Sequence, residues 1–117
     1  MPVDDSLRDR RSTRREEIQN EITSAQKALE DRNEGKARVC ARRAVGNAFR
    51  LSNHSMEVQQ SISANEILKI IAADETFSEG VRNAARRLAA SVDEADISLE
   101  PVDDALLIIE ELLRRNQ

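Results

Sequence analysis

The chain has 117 residues, of which 34% are charged and 2% aromatic, and its formal net charge is −4. This length predicts one domain with a modest core. The scarcity of aromatic and glycine residues argues against a β-sheet protein and predicts an all-α fold. No apolar run approaches the ~20 residues of a membrane span, no leader pattern is present, and one cysteine cannot form an internal disulfide. We therefore expect a soluble protein of a reducing cytoplasm.

Charge is distributed unevenly along the chain. Residues 1–50 contain 12 basic and 9 acidic side chains, whereas residues 51–117 contain 6 and 13. Folding can mix the two halves into ordinary solvated faces, or it can leave a basic patch beside an acidic surface. The sequence leaves both arrangements open.

The predicted elements begin with a tail and a first helix. Residues 1–12 have Leu7 as their one useful apolar side chain, so we expect a flexible N-terminal tail, followed by a single domain over residues 13–117. Thr13 and Glu16 have the spacing of a capping box, which predicts a helix start at this point.

The first helix is expected to end in a tight turn. Its apolar edge repeats at intervals of three and four residues: Ile18, Ile22, Ala25 and Leu29. This pattern continues to about Arg32, after which Gly35 is suited to the left-handed conformation of a helix stop. A second helix starting at Lys36 would then complete an antiparallel helical hairpin.

The second helix carries two unlike stripes. One consists of small residues that let another helix approach closely: Ala37, Ala41, Ala44 and Ala48. The other consists of polar residues and is either an ordinary solvated face or a candidate contact for an anion or nucleic acid: Lys36, Arg43, Asn47, Arg50 and His54. Val39, Gly46 and Phe49 make the outward face less polar than solvation requires, and they predict a homodimer seam.

Three shorter helices are predicted in the second half of the chain. Residues 51–62 are the least patterned and are expected to form a connection. Ser63 and Glu66 then form a second capping box, which begins the third helix. Ser78 caps a fourth helix, and Pro101 begins the last one. The expected inward residues of the last helix are Val102, Ala105, Leu106, Ile109, Leu112 and Leu113. The whole pattern predicts a four- to five-helix bundle with an N-terminal antiparallel hairpin.

Few catalytic arrangements are compatible with the residue inventory. Cys40 and His54 are the only residues of their types, so a zinc site of the usual Cys/His type cannot form within one chain. They would lie about 20 Å apart on a continuous helix, too far for a nucleophile pair. Leu51 stands where the Glu-x-x-His motif of di-metal bundles needs glutamate. We therefore predict no catalytic residue, metal or cofactor.

The arginine content keeps nucleic acid open as a ligand. Arginine outnumbers lysine by 15 to 3, which suits bidentate contact with phosphate or carboxylate. The absence of Trp and Tyr argues against recognition by base stacking, so contacts with nucleic acid would be made mainly to the backbone.

Three segments together resemble the HEPN superfamily of small helical-bundle domains. They are ALEDRNEGKARVCARRAVGNAF at 28–49, SANEILKIIAADETFSEGVRNAARRLAA at 63–90, and PVDDALLIIEELLRR at 101–115. The resemblance implies a four- or five-helix bundle, frequent homodimerisation, and either RNA cleavage or a non-catalytic binding role.

The motif of the family's nucleases is absent from this chain. Those members carry an arginine followed by histidine after about four to six intervening residues. Here Asn47, Ala48 and Phe49 occupy the positions that would need arginine before His54, and Arg50 is separated from it by only three residues. The resemblance therefore implies a non-catalytic member.

Three functions remain as hypotheses. The first is a non-enzymatic interaction or regulatory protein that acts as a homodimer or accessory subunit. The second is an RNA- or nucleotide-binding module that uses the basic stripe of the second helix. The third, an RNase combining Arg50 and His54 across a dimer, is the least supported by the spacing.

Overall fold

The computed structural model describes residues 2–52, 62–90 and 99–115, with side chains from residue 13 onward. These residues form five α-helices and no strand: α1 Pro2–Glu30, α2 Glu34–Ser52, α3 Ala64–Ala73, α4 Glu79–Ala89 and α5 Pro101–Arg115. The predicted all-α bundle with an N-terminal antiparallel hairpin is confirmed. Within this part of the chain, no helix is long and apolar enough to cross a bilayer.

Helix α2 lies at the centre of the bundle. It packs mainly against α1 and α5 and also contacts α3 and α4. The predicted small-residue stripe explains this position, because each of its alanines is 0% exposed: Ala37, Ala41, Ala44 and Ala48. Methyl side chains allow neighbouring backbones to approach closely, and larger residues from the other helices fill the remaining space, including Ile67, Leu88 and Ile108.

Serine side chains fix the starts of α3 and α4 as predicted. The Oγ atom of Ser63 accepts a hydrogen bond from the Glu66 N–H at 3.1 Å, and Ser78 Oγ accepts one from the Val81 N–H at 3.2 Å. Each bond satisfies a backbone donor that the first helical turn leaves without a partner. Pro101 is the first residue of α5, where its missing N–H has no consequence.

The start of α1 differs from the prediction. The helix begins at Pro2, so Thr13 lies inside it and the predicted capping box there is wrong. Proline is well suited to a first helical position, and residues 3–12 contain no further proline or glycine to interrupt the helix. The backbone of residues 2–12, expected to be a tail, is therefore helical.

The end of α1 also differs, because Arg32 rather than Gly35 adopts the left-handed conformation. Its φ is 61°, and none of the described glycines has a positive φ. The Asn33 N–H donates to the Ala28 carbonyl at 2.7 Å and the Arg32 N–H donates to the Leu29 carbonyl at 3.0 Å, the pattern of a Schellman motif. These bonds hold Arg32 in a conformation that usually favours glycine.

Asn33 also places the start of α2 earlier than predicted. Its Oδ1 accepts a hydrogen bond from the Lys36 N–H at 3.2 Å, so Asn33 caps a helix that starts at Glu34. Gly35 therefore lies in the first turn of α2 and not in the connection.

Candidate functional site

A polar cleft lies along the hairpin formed by α1 and α2. It has a volume of about 660 Å³ and is bounded by seven residues: Glu17, Asn20, Glu21, Arg43, Asn47, Arg50 and Ala64. Two carboxylates and one carboxamide from α1 thus face two guanidiniums and one carboxamide from α2, across a space large enough for a small ligand or part of a larger one. The site combines three predicted residues with a wall that was not predicted.

The α2 wall of the cleft contains part of the predicted polar stripe. Arg43, Asn47 and Arg50 are spaced by four and three residues, so they share one face of the helix. Lys36 is exposed and does not line the cleft, since it lies about 10 Å before Arg43 along the helix axis. His54 lies outside the described residues.

The α1 wall was missed because its residues stand at the edge of the buried face. Glu17 and Glu21 directly precede Ile18 and Ile22, both of which are buried. One residue turns a helix by about 100°, so a residue preceding a buried one lies at the border of the packed face. The antiparallel register of the hairpin could have suggested which α1 side chains face α2.

Burial and a neighbouring guanidinium both act on Arg50 in the cleft. Burial lowers the pKa of Arg50, and the positive charge of Arg14 on α1 lowers it further. Arg50 donates a hydrogen bond from Nη2 to the Ile62 carbonyl at 2.8 Å, which fixes its side chain against the start of α3. Part of its hydrogen-bonding capacity is therefore used within the chain.

The lining groups are formally balanced in charge. Glu17 and Glu21 offset Arg43 and Arg50, and none of the ion pairs found among the described residues joins any two of these four side chains. A polyanion entering the cleft would meet two carboxylates as well as two guanidiniums. Such a surface is less suited to a phosphate backbone than the basic stripe alone suggested.

Cys40 lies beside the cleft but in a buried position. Burial raises the pKa of its thiol, and the charge of Glu21 together with a hydrogen bond to that carboxylate raises it further. A thiol with a raised pKa is a poor nucleophile at neutral pH. No group of three or more potential metal-ligating side chains is found among the described residues.

Several arginines bind backbone carbonyls at the ends of other helices. Arg42 donates to the carbonyls of Leu88 and Ala90 at 2.7 and 3.1 Å, where α4 ends. Arg82 donates to the Phe77 carbonyl at 3.2 Å. These guanidiniums satisfy acceptors that the helix ends and turns leave open. Part of the arginine excess therefore serves the fold.

Two further arginines connect α5 with its neighbours. Arg87 makes a bidentate ion pair with the nearly buried Asp104, with distances of 3.1 and 2.7 Å. Arg115 donates to the backbone carbonyl and the hydroxyl of Thr76 and lies 3.6 Å from the centre of the Phe77 ring. Arginine suits both tasks because its planar head combines several donors with a face that stacks on aromatic rings.

The residues predicted as a dimer seam do not share an exposed face. Gly46 is buried, and a Cβ at this position would lie 3.4 Å from the Cβ of Ala64 on α3. Phe49 packs partly buried against the core, and only Val39 is exposed, at 42%. Gly46 therefore permits the close approach of a helix of the same chain.

The outer face of α5 is more apolar than predicted. Leu106, expected to point inward, is 43% exposed, while Leu107 is 44% exposed and Leu99, just before the helix, is 84% exposed. The opposite side of α5 buries Ile108 and Leu112. The helix carries more apolar residues than one packed face can cover, and its surplus leucines point away from the bundle.

Searches against known protein families, curated proteins and solved structures each gave no match for this chain. The resemblance to HEPN domains therefore stays a prediction based on the sequence pattern.

Proposed function

We propose that this chain is a non-enzymatic interaction or regulatory protein that works through protein contacts, as a homodimer or as an accessory subunit. The observation that carries this proposal is the outer face of α5, where Leu106 and Leu107 are each nearly half exposed on a helix whose inner face is already packed. Apolar side chains grouped on a rigid helix are typical of protein contact surfaces. A HEPN-like, non-catalytic bundle in the cytoplasm is consistent with this role.

The cleft supports the alternative, an RNA- or nucleotide-binding module, less well. Arg43, Asn47 and Arg50 do meet in one cleft, which favours contact with an anion. Glu17 and Glu21 on the facing wall reduce its positive potential, however, and Arg50 is already bonded to the Ile62 carbonyl. A small ligand with both anionic and hydrogen-bonding groups fits this mixture better than a long phosphate backbone.

Site-specific photo-cross-linking would test the proposal. A photoreactive residue is placed at Leu107 on α5, at Asn20 in the cleft, or at exposed Gln26 on α1 as the control. After irradiation in the cell of origin, we expect protein adducts from the Leu107 position that are absent from Gln26 and are lost when Leu106→Ser is added. RNA adducts from Asn20, without protein adducts from Leu107, would favour the alternative and reject the proposal.

A further inference from the structure

The outer face of α5 is bordered mainly by acidic residues. Asp103 is exposed one turn before the leucines and Glu110 is exposed one turn beyond them, while exposed Glu100 directly precedes the helix. Arg114 on the same side donates to Glu110 at 2.9 Å and to Glu111 at 3.2 Å, so these charges offset one another. Glu100 and Asp103 form none of the ion pairs found among the described residues, and they leave the border negative. We name the surface formed by Leu106 and Leu107 with this acidic border the leucine face.

We infer that the leucine face binds a basic amphipathic helix of a partner protein, an inference that rests on the proposed function and names its partner class. Apolar anchors repeating at three and four residues would cover the leucines, and Lys or Arg beside these anchors would meet the acidic border. Opposite charges around an apolar centre favour the encounter and fix the orientation of the bound helix.

Charge also argues against a second copy of α5 as the occupant. An antiparallel pairing that places Leu106 of one copy against Leu107 of the other brings Asp103 of one copy opposite Glu110 of the other. A parallel pairing around the same leucines brings Asp103 against Asp103. The parallel pairing opposes unpaired like charges directly, whereas in the antiparallel one Glu110 is already paired with Arg114. Charge therefore disfavours the parallel pairing most, and neither pairing supplies the cations that the acidic border would attract from a basic partner.

The test uses a designed peptide and takes advantage of the absence of Trp and Tyr from the chain. The probe is a helix of about 18 residues, or five turns, with leucines at amphipathic spacing, lysines beside them and one tryptophan. Its matched control carries glutamate in place of each lysine. Because the full-length protein has no tryptophan, the fluorescence of the peptide reports binding without background.

The protein variants are matched in exposure. Leu106→Ser/Leu107→Ser alters the leucine face, and Ile70→Ser alters a side chain on α3 that is also 44% exposed. Circular dichroism checks that each variant retains its helices. We expect the basic peptide to bind the wild type at least about tenfold more tightly than the acidic peptide, and the double variant to lose at least about tenfold, whereas Ile70→Ser changes little.

Equal binding of the basic and acidic peptides would overturn the inference, and so would equal losses of peptide affinity in the double variant and in Ile70→Ser. A wild-type dimer that Leu106→Ser/Leu107→Ser dissociates, as seen by light scattering, would overturn it as well. These results are distinguishable from failure of the proposed function. Protein adducts at Leu107 without binding of the basic peptide would reject only the partner chemistry, whereas absence of both would reject the protein-contact function as well.

Discussion

Replacing Arg32 by glycine is expected to stabilise the protein. Arg32 has a φ of 61°, in the left-handed region where a Cβ costs roughly 1–2 kcal/mol. Glycine removes this cost, but its greater conformational freedom in the unfolded chain lowers stability by about 0.5–1 kcal/mol. The exposed Arg32 side chain makes no ion pair among the described residues, so its removal adds little. The net expectation is a gain of about 0.5–1 kcal/mol.

Thermal unfolding followed by circular dichroism would measure this gain. For a domain near this size, 1 kcal/mol corresponds to roughly 4–8 °C in Tm, so Arg32→Gly should raise Tm by about 2–8 °C. Arg32→Ala is the matched control, because it removes the same charge but keeps the Cβ. An unchanged or lower Tm for Arg32→Gly, or an equal rise for Arg32→Ala, would refute the attribution to backbone strain.

Three further predictions concern other parts of the fold. Arg42→Ala should lower the free energy of unfolding, measured by urea denaturation, by about 1–3 kcal/mol, because two carbonyls at the end of α4 lose their donor. Arg42→Lys should recover only part of this loss, since lysine lacks the forked donors of arginine. Gly46→Leu should cost about 1–3 kcal/mol in the same assay because its side chain collides with Ala64, whereas Gly46→Ala should be milder; equal losses would contradict this account of the contact. Hydrogen bonds from the Thr76 side chain and backbone lower the pKa of Asp74, so the stability it contributes is present above its usual value of 3.8 and is lost as the pH falls below that value. Carboxyl NMR titration should therefore give a higher Asp74 pKa in Thr76→Val than in the wild type, and an unchanged value would exclude the side-chain bond as a cause.

The sequence predicted those features that depend on local spacing. The alanine stripe of α2 and the caps at Ser63 and Ser78 follow from helical periodicity and from the chemistry of a single side chain. Arg32 could not be predicted in the same way. Its conformation depends on the hydrogen bonds that close the hairpin, and these outweigh the usual preference for glycine.

The cleft and the leucine face were harder to predict because they depend on how helices pack. Glu17 joins Arg43 only through the register between α1 and α2, which no single helix specifies. Leu106 lies on the border of a wide apolar stripe, and the contacts of α5 with α2 and α4 decide which edge of that stripe is left outside. Periodicity identified the apolar residues of the last helix but could not identify which of them remain exposed.

The central position of α2 has a consequence for dynamics. Because this helix contacts each of the other four described helices, its middle turns cannot open to solvent without separating most of the bundle. Amide hydrogens around Ala41 and Val45, both 0% exposed, should therefore exchange with deuterium only through global unfolding. Their slow exchange would report the stability of the whole domain, and any ligand that binds the folded form should slow it further.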